Sequence, residues 1–549
     1  MSVVRHRSLQ LASDARAPAA ARLWRNVLLD SFFEEAVARQ SDRIAVVDGK
    51  RVVQQSELDS AVARTAAGLR DLGIQPGDAV SWILPNWYEA IVVHHAAIRI
   101  GAVSNPVVPI YRHREVEYIL RQAESKIVII PEAFRGFDYP AMIAGLDIPD
   151  LEHVIVARAS SPRHHHLDTL GQTGGDAERG APEPTRSADD PVLLMYTSGT
   201  TARPKGVIHS HNTMVHELIS MIELFNLTSQ DTIFMPSPLT HITGVLYGIH
   251  LPVILQSSVV LQDIWDPAAA ARLIHQHSAS FTVGATPFLH GLMHQPDPPG
   301  GRLAMRVFAC GGADVPPQLV RDAARRLDCC VARVYGSTEH PTVSGCGFGD
   351  TIDKRASTDG RAIGGNEVRI LREDGSGAAP ETVGEIVVRG PEQFLGYLEA
   401  DASSGAYTSD GWFRTGDLGA VDHDGYLEVV GRKKDIIIRG GENLSVKEIE
   451  GLLLEHEWIS DVAVVGMPDP ILGERVCAFV VPSPHGVPTL NAVAAFLRDQ
   501  KVAIQKLPER LEVVSELPRT ASGKIQKFLL RERIQALVAS EHSVAPSNR

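Results

Sequence analysis

Cysteine is scarce: Cys310, Cys329, Cys330, Cys346 and Cys477 are the only five in 549 residues. The number is odd and no two form a Cys-x-x-Cys pair, which argues against a disulfide framework and a structural zinc site and fits a reducing compartment. Adjacent Cys329 and Cys330 read as small apolar core residues rather than as a redox pair. Long apolar runs are also missing. The most apolar region, 91–108, is broken by His94, His95, Arg99, Asn105 and Pro106, so no membrane span is expected. Basic residues fall short of acidic ones, 53 against 66, for a formal net charge of −13. That balance argues against nonspecific nucleic-acid binding but leaves room for a local basic pocket. Arg5, Arg7, Arg16, Arg22 and Arg25 precede no apolar segment of signal type, so residues 1–28 are expected to form a frayed arm. A mitochondrial presequence is the alternative. Ser547, Asn548 and Arg549 do not make a peroxisomal address, and a cytoplasmic location is expected.

What is present is an ordinary globular composition, 44% hydrophobic and 22% charged, on a chain long enough for two to four structural units. Strand and helix patterns alternate from about residue 30 to 430. Residues 31–39 read as a helix, 44–47 as a strand, 56–72 as a helix with Leu58, Val62, Ala66 and Leu69 on one face, 79–84 as a buried strand, 114–123 as a helix and 126–130 as a strand. Such alternation predicts parallel sheets covered by helices. Residues 163–190, with His164, His165 and His166, break the rhythm and read as a surface loop. Metal binding by the three histidines lacks a second ligand cluster. Beyond 430 the pattern changes to strand 436–438, helix 445–454, strands 462–466 and 476–481, and helix 490–499, a compact α+β unit. The expected organisation is an arm (1–28), a large domain (29–430), a hinge (431–435) and a small domain (436–549).

The strongest chemical signal follows the apolar strand that starts at Val192. Thr197, Ser198, Gly199, Thr200, Thr201, Ala202, Arg203, Pro204, Lys205 and Gly206 combine hydroxyl donors, glycine and a mobile cation. Met214, Leu218, Met221 and Phe225 then mark one face of a helix. Such a loop suits nucleotide phosphates. It is not the P-loop pattern, because Lys205 precedes its glycine.

This string, with Tyr335-Gly336-Ser337-Thr338-Glu339, Gly411-Trp412-Phe413-Arg414-Thr415-Gly416-Asp417, Gly431-Arg432-Lys433-Lys434-Asp435 and Pro518-Arg519-Thr520-Ala521-Ser522-Gly523-Lys524, resembles the adenylate-forming superfamily of acyl-CoA synthetases, nonribosomal adenylation domains and firefly-type luciferases. The resemblance covers about residues 30–535, with all five motifs in order. One departure is Ala202, where the family loop usually has glycine; this is not expected to abolish nucleotide binding. The resemblance implies an α/β fold, a large N-terminal domain of helix-covered sheets plus a smaller mobile α+β C-terminal domain. It also implies ATP-dependent conversion of a carboxylic acid to an acyl-adenylate, then transfer to coenzyme A with release of AMP and pyrophosphate.

That chemistry sets carboxylate, α-phosphate and leaving pyrophosphate against one another, so catalysis must rest on charge neutralisation and positioning. By resemblance, Lys524 is the catalytic lysine, bridging carboxylate and α-phosphate oxygens. Glu339, assisted by Thr200, is the Mg²⁺ ligand. Asp417 accepts the ribose hydroxyls, and Arg432 is a second ribose or phosphate contact. Tyr335 packs on adenine opposite Gly311, Gly312 and Ala313, and Gly336, Ser337 and Thr338 complete that turn. Lys434 falls at the hinge about which the small domain would turn between the two reactions. Arg439, Gly440, Gly441 and Glu442 would then line the pantetheine tunnel, with Gly441 admitting the thiol close to backbone. His241 borders and gates the acyl pocket, with 284–288 and Cys310 as further wall. The expected partners are a small carboxylic acid, ATP and CoA, with a homodimer allowed and no nucleic acid.

Strings 431–443 and 517–530 most resemble short- and medium-chain fatty acyl-CoA synthetases and cyclohexanecarboxylate-type ligases, which favours a short- to medium-chain, medium-size aliphatic or alicyclic acid. Three alternatives stand beside this reading: an aromatic acid, delivery of the acyl group to a separate carrier protein, and a catalytically dead regulator. Retention of Lys524, Glu339 and Asp417 weighs against the last. Luciferase-type oxidation is remote.

Overall fold

The computed structural model describes residues 22–544 except 163, 172–185, 198–203, 300, 302, 304, 313–314, 400, 402–404, 440–441, 501 and 521–522; side chains are not described at 434, 442–443 and 542–544. The chain divides into two compact units, Met1–Val368 with Val388–Phe413, and Arg369–Val387 with Arg414–Arg549.

The first unit holds two large sheets. In one, strands Cys330–Tyr335, Val307–Cys310, Phe281–Gly284, Ile233–Met235, Val259–Leu261 and Ile44–Asp48 run side by side and parallel. Short antiparallel strands close both edges. In the other, Pro191–Thr197, Val103–Pro106, Ala79–Trp82, Ile127–Pro131 and His153–Ala157 are parallel neighbours. Helices cover these strands, as the alternating pattern predicts. Helix Gln55–Asp71 turns Leu58, Val62, Ala66 and Leu69 inward, and helix His113–Gln122 buries Val116, Ile119 and Leu120. Aliphatic strands such as Ile127–Pro131 are buried along their whole length, as parallel strands sandwiched between helices must be.

Two expectations need correction. The stretch from 163 is not a loop throughout its described part: His165–His166 adds a parallel edge to His153–Ala157, and buried Leu167 anchors the turn that follows. The lysine after the hydroxyl-rich loop does not lead directly into a helix. Lys205–Ser210 first returns antiparallel to Pro191–Thr197, and helix His211–Phe225 begins at a Ser210 cap that accepts from the Thr213 N–H. Its β-branched and small residues (Val207, Ile208) suit a strand between neighbours on both sides, with Gly396–Tyr397 on the far edge.

The second unit carries the antiparallel hairpin of strands Phe413–Val421, from Arg414 on, and Leu427–Arg432. It also carries a five-stranded sheet in which Gly473–Pro482 lies between Ile437–Arg439 and Ile459–Asp469, with Arg510–Val513 parallel to it. Helices Val446–Leu453 and Leu490–Asp499 bury Ile449, Leu453, Val493 and Leu497 on one side. Helix Lys527–Val544 places Leu530 and Ile534 against Ala463, Val465, Cys477 and Phe479.

All five cysteines are free; Cys329 is half-buried and the other four are buried. Burial pushes the Cys329 thiol up to about 12, so it stays protonated, as an apolar rather than a redox residue does. No described helix is long and apolar enough to cross a membrane.

Three buried histidines set an acid limit on the first unit. His94 and His95, on helix Tyr88–Arg99, meet His250 at ring separations of 4.8 and 5.4 Å, and His94 Nε2 lies 2.8 Å from His250 Nε2. Burial, reinforced by the neighbouring rings, holds each imidazole well below the usual 6.5. The unfolded chain therefore binds protons that the folded chain refuses. Stability is full above the unfolded value and falls as pH drops below it. The thermal midpoint is expected to be flat above about pH 7 and to decline steeply towards about pH 5. Substituting His95 with phenylalanine should flatten that decline, and an unchanged acid slope would discount the cluster.

Candidate active site

Four adjacent parallel strands end on the same side of the first sheet, and each runs into a candidate segment. Ile233–Met235 leads to His241, Phe281–Gly284 to Ala285 and Phe288, Val307–Cys310 to Gly311 and Gly312, and Cys330–Tyr335 to the 336–339 turn. Carboxyl ends of parallel strands are where open α/β sheets bind ligands.

The glycines there have specific causes. A Cβ on Gly311 would strike the Val334 carbonyl and side chain of the next strand, and Gly312 has φ +77°, a region that favours glycine. Gly336 is more constrained still, because a Cβ would overlap the Pro341 carbonyl and approach the His340 oxygen. That tight loop is closed by the Ser337 N–H donating to His340 O at 2.8 Å. Gly336→Ala is expected to cut pyrophosphate exchange about tenfold or more by moving the adjoining residues. Wild-type exchange in this variant would mean the loop can absorb a methyl group.

Glu339, at the end of this turn, is held from two sides. Phe394 N–H donates to its carbonyl at 2.8 Å, and Tyr397 Oη donates to its Oε1 at 2.7 Å. Burial and the Glu339 charge both push the Tyr397 hydroxyl far above its ordinary value, so Tyr397 serves as a donor and not as a proton source. The Tyr397 ring in turn lies under Lys205, whose Nζ is 4.8 Å from the ring centre, within cation–π range. Lys205 pairs with Thr197 across the hairpin, so these two residues, on either side of 198–203, stand opposite each other. His209 Nε2 donates to Thr338 O at 2.7 Å, tying the hairpin's return strand to the same turn. Tyr397 was missed in the sequence. Its only signal is a Gly396-Tyr397 pair in an apolar stretch, where an aromatic reads as core.

His241 caps the short helix Ile242–Gly244, with Nδ1 accepting from the Thr243 N–H at 3.4 Å. Gly244 is required where it stands, since a Cβ would overlap the Pro238 carbonyl. A π-helical turn, Val245–His250, follows; such turns recur at functional sites. Trp412, from the Gly-Trp-Phe motif, packs under the Arg389 guanidinium at 4.6 Å, and Phe413 packs on Phe394. Both are core residues that carry the motif.

In the second unit, Asp417 and Arg432 are register partners of the hairpin and form an ion pair, Nε to Oδ1 3.0 Å, with Asp417 only 6% exposed. The sequence brings them together; their carboxylate–guanidinium unit presents oxygen and N–H groups side by side. Lys524 sits in a turn where Arg519 bridges Ile525. Thr520 N–H donates to Lys524 O at 2.7 Å, Lys524 N–H donates to Thr520 Oγ1 at 3.1 Å, and Gly523 has φ +84°. Arg519 braces the turn through Gly523 O and Asp461, each at 2.5 Å. Lys434 lies in the one-turn helix Lys433–Asp435, and Glu442 opens strand Glu442–Leu444. Ser198, Gly199, Thr200, Thr201, Ala313, Gly440 and Gly441 lie outside the described residues. No group of three or more His, Cys, Asp or Glu able to hold a metal occurs among the described residues.

Residues 33–398 match the model of the AMP-binding enzyme family, and residues 448–524 match that of the AMP-binding enzyme C-terminal domain. The chain is similar to the medium-chain fatty-acid–CoA ligase of Escherichia coli K12, 36% identical over 93% of this chain and 91% of that protein. It is 30% identical to the mitochondrial medium-chain acyl-CoA ligase ACSF2 of Macaca fascicularis, over 91% of this chain and 86% of that one. Among solved structures it resembles ATP-bound MatB from Rhodopseudomonas palustris, with a TM-score of 0.80 at 27% identity, covering 93% of this chain and all of that one.

Proposed function

The chain belongs to the AMP-binding enzyme family and is an AMP-forming acyl-CoA synthetase, and we propose that its acid is a medium-chain aliphatic or alicyclic carboxylic acid. The observation that carries the substrate class is the 36% identity to a medium-chain fatty-acid–CoA ligase over nearly the full length of both chains.

The proposed course has two steps. ATP lies across the strand ends, its adenine between Tyr335 and the Gly311–Gly312–Ala313 wall, its phosphates in the loop of Ser198, Gly199, Thr200 and Thr201 between Thr197 and Lys205. Glu339 and Thr200 offer the hard oxygen donors that suit Mg²⁺, which would neutralise phosphate charge. Tyr397 fixes the rotamer of Glu339, so that its charge points one way before ATP arrives. Asp417 takes the ribose hydroxyls, held in place by Arg432. Lys524 neutralises charge between the attacking carboxylate and the α-phosphate. CoA thiol then displaces AMP from the acyl carbon; for this step we propose a turn about 431–435 at Lys434 that brings Gly440, Gly441 and Glu442 to the pantetheine. His241 is proposed to gate the acyl pocket, and the location to be cytoplasmic.

Each methylene in a fitted pocket is worth about 1–3 kcal/mol. On this reading kcat/KM therefore climbs with chain length to a maximum at medium-chain acids. A maximum on benzoate-type acids would replace the aliphatic reading by the aromatic one. Acyl-adenylate transferred to a holo-carrier protein but not to CoA would overturn the acceptor.

A further inference from the structure

Four segments that hold the candidate site also send polar side chains into one enclosed spot behind it. Glu217 comes from helix His211–Phe225, Tyr247 from the π-helical turn, Thr342 from just after Glu339, and Glu392 from just before Tyr397. Glu217 and Glu392 are both 0% exposed. Glu217 Oε2 and Glu392 Oε1 are buried without a hydrogen-bond partner, while the two carboxyl groups stand within reach of one hydrogen bond to each other. Two bare carboxylates cannot sit side by side away from water, and one proton between them removes both the repulsion and the two unpaired atoms.

The remaining carboxyl oxygens are held by neighbouring donors. Glu217 Oε1 accepts from the Tyr247 hydroxyl and from Thr342 Oγ1, the latter at 2.7 Å. Glu392 Oε2 accepts from Asn366 Nδ2 at 3.0 Å, and the Ser220 hydroxyl lies beside the same carboxyl. Both donors to Glu217 are hydroxyls on one oxygen, Oε1, which leaves Oε2 facing Glu392. Burial first and the Glu217 charge second hold the Glu392 carboxyl well above the usual carboxylate range, which makes Glu392 the acid of the pair.

The pair reaches Glu339 by two routes. Asn366, bound to Glu392, also donates to Thr342 O at 3.1 Å and accepts from His340 Nε2 at 2.9 Å. Two residues beyond Glu392, Phe394 holds the Glu339 carbonyl, and Tyr397 holds its carboxylate. We propose that Glu217 and Glu392 share one proton, held between Glu217 Oε2 and Glu392 Oε1, and that this shared proton positions Glu339. The positioning half rests on the reading of Glu339 as the carboxylate that faces Mg²⁺. Glu217 and Glu392 are positioning residues, since neither touches Glu339 itself.

The groups around the pair are Tyr247, Thr342, Asn366 and Ser220, with His216 and His340 beyond them. Among these described neighbours there is no lysine or arginine to offset a second charge. With the folded value raised above 4.5, stability from this group declines as pH rises, until the proton leaves and a second charge appears. Glu339 then loses its brace on the alkaline side.

Two readouts test this in the full-length enzyme. The first needs no activity: infrared difference spectra at neutral pH are expected to show a protonated carboxylic-acid C=O band in the wild type that is missing from Glu392→Gln. The second is the Mg²⁺ and pH dependence of acid-driven ATP–pyrophosphate exchange. Glu392→Ala is expected to raise the Mg²⁺ needed for half-maximal exchange about tenfold, with KM for the acid within about twofold. Glu392→Gln, which donates to Glu217 but cannot ionise, should restore the Mg²⁺ response and extend activity to higher pH than the wild type. A folded wild type without the band overturns the shared proton. Identical alkaline limbs in wild type and Glu392→Gln, or an unchanged Mg²⁺ response in Glu392→Ala, overturn the positioning role. If Glu392→Ala fails to fold, the band and the Glu392→Gln profile still decide. A wild type that exchanges no pyrophosphate defeats the proposed function instead, and leaves the band to judge the pair.

Discussion

Lys524→Ala is expected to slow acyl-adenylate formation about 10²-fold or more, the usual cost of losing a preorganised charge-stabilising group. Transfer from supplied acyl-adenylate to CoA should be largely spared. The structure makes this a clean substitution. The described part of the turn is held by backbone bonds, by Thr520 and by Arg519 against Asp461, none of which uses the Lys524 amine. The reaction itself supplies the asymmetry. Two anions meet in the first step, while in the second a thiol attacks an activated acyl carbon and AMP leaves. Single-turnover assays of the two half-reactions, begun from acid plus ATP and from acyl-adenylate plus CoA, separate the effects. Equal loss in both would remove the idea that Lys524 serves only the adenylation state.

Glu339→Gln is expected to lower pyrophosphate exchange by a similar factor, about 10²-fold, and to raise the Mg²⁺ requirement. Glutamine keeps the Tyr397 hydrogen bond and the Phe394 N–H to the backbone carbonyl, so geometry is preserved and only the charge is lost. Tyr397→Phe keeps the charge and frees the rotamer. Its effect should be smaller and visible mainly in kcat, because a mobile carboxylate can still bind metal but is no longer preorganised. An unchanged Mg²⁺ titration in Glu339→Gln would take the metal away from this residue.

The elements that could be read from the sequence are those where a single cause dominates. Helix Leu490–Asp499 and the buried face of Gln55–Asp71 follow from hydrophobic periodicity, which tertiary contacts only reinforce. Asp417 and Arg432 could be named from their motifs, and their pairing follows once a hairpin joins them. The return strand Lys205–Ser210 could not, because Lys-Gly-Val-Ile-His-Ser has no alternation of its own and is a strand only between two partners. Neither could Tyr397, Glu217 or Glu392. A tyrosine in an apolar stretch reads as core, and a glutamate on a helix reads as a solvated face. Their roles arise from chain segments 58 to 175 residues apart that meet in the fold.

The most direct test of the central claim is acid-dependent pyrophosphate release from ATP and Mg²⁺, measured over straight-chain acids of two to sixteen carbons and over alicyclic and aromatic acids, with and without CoA. An AMP-forming acyl-CoA synthetase of the proposed class gives sustained release only with CoA, yields the thioester and AMP in equal amounts, and is fastest with medium-chain acids. A single burst of pyrophosphate that CoA cannot convert into turnover, or no release with any acid, would contradict it.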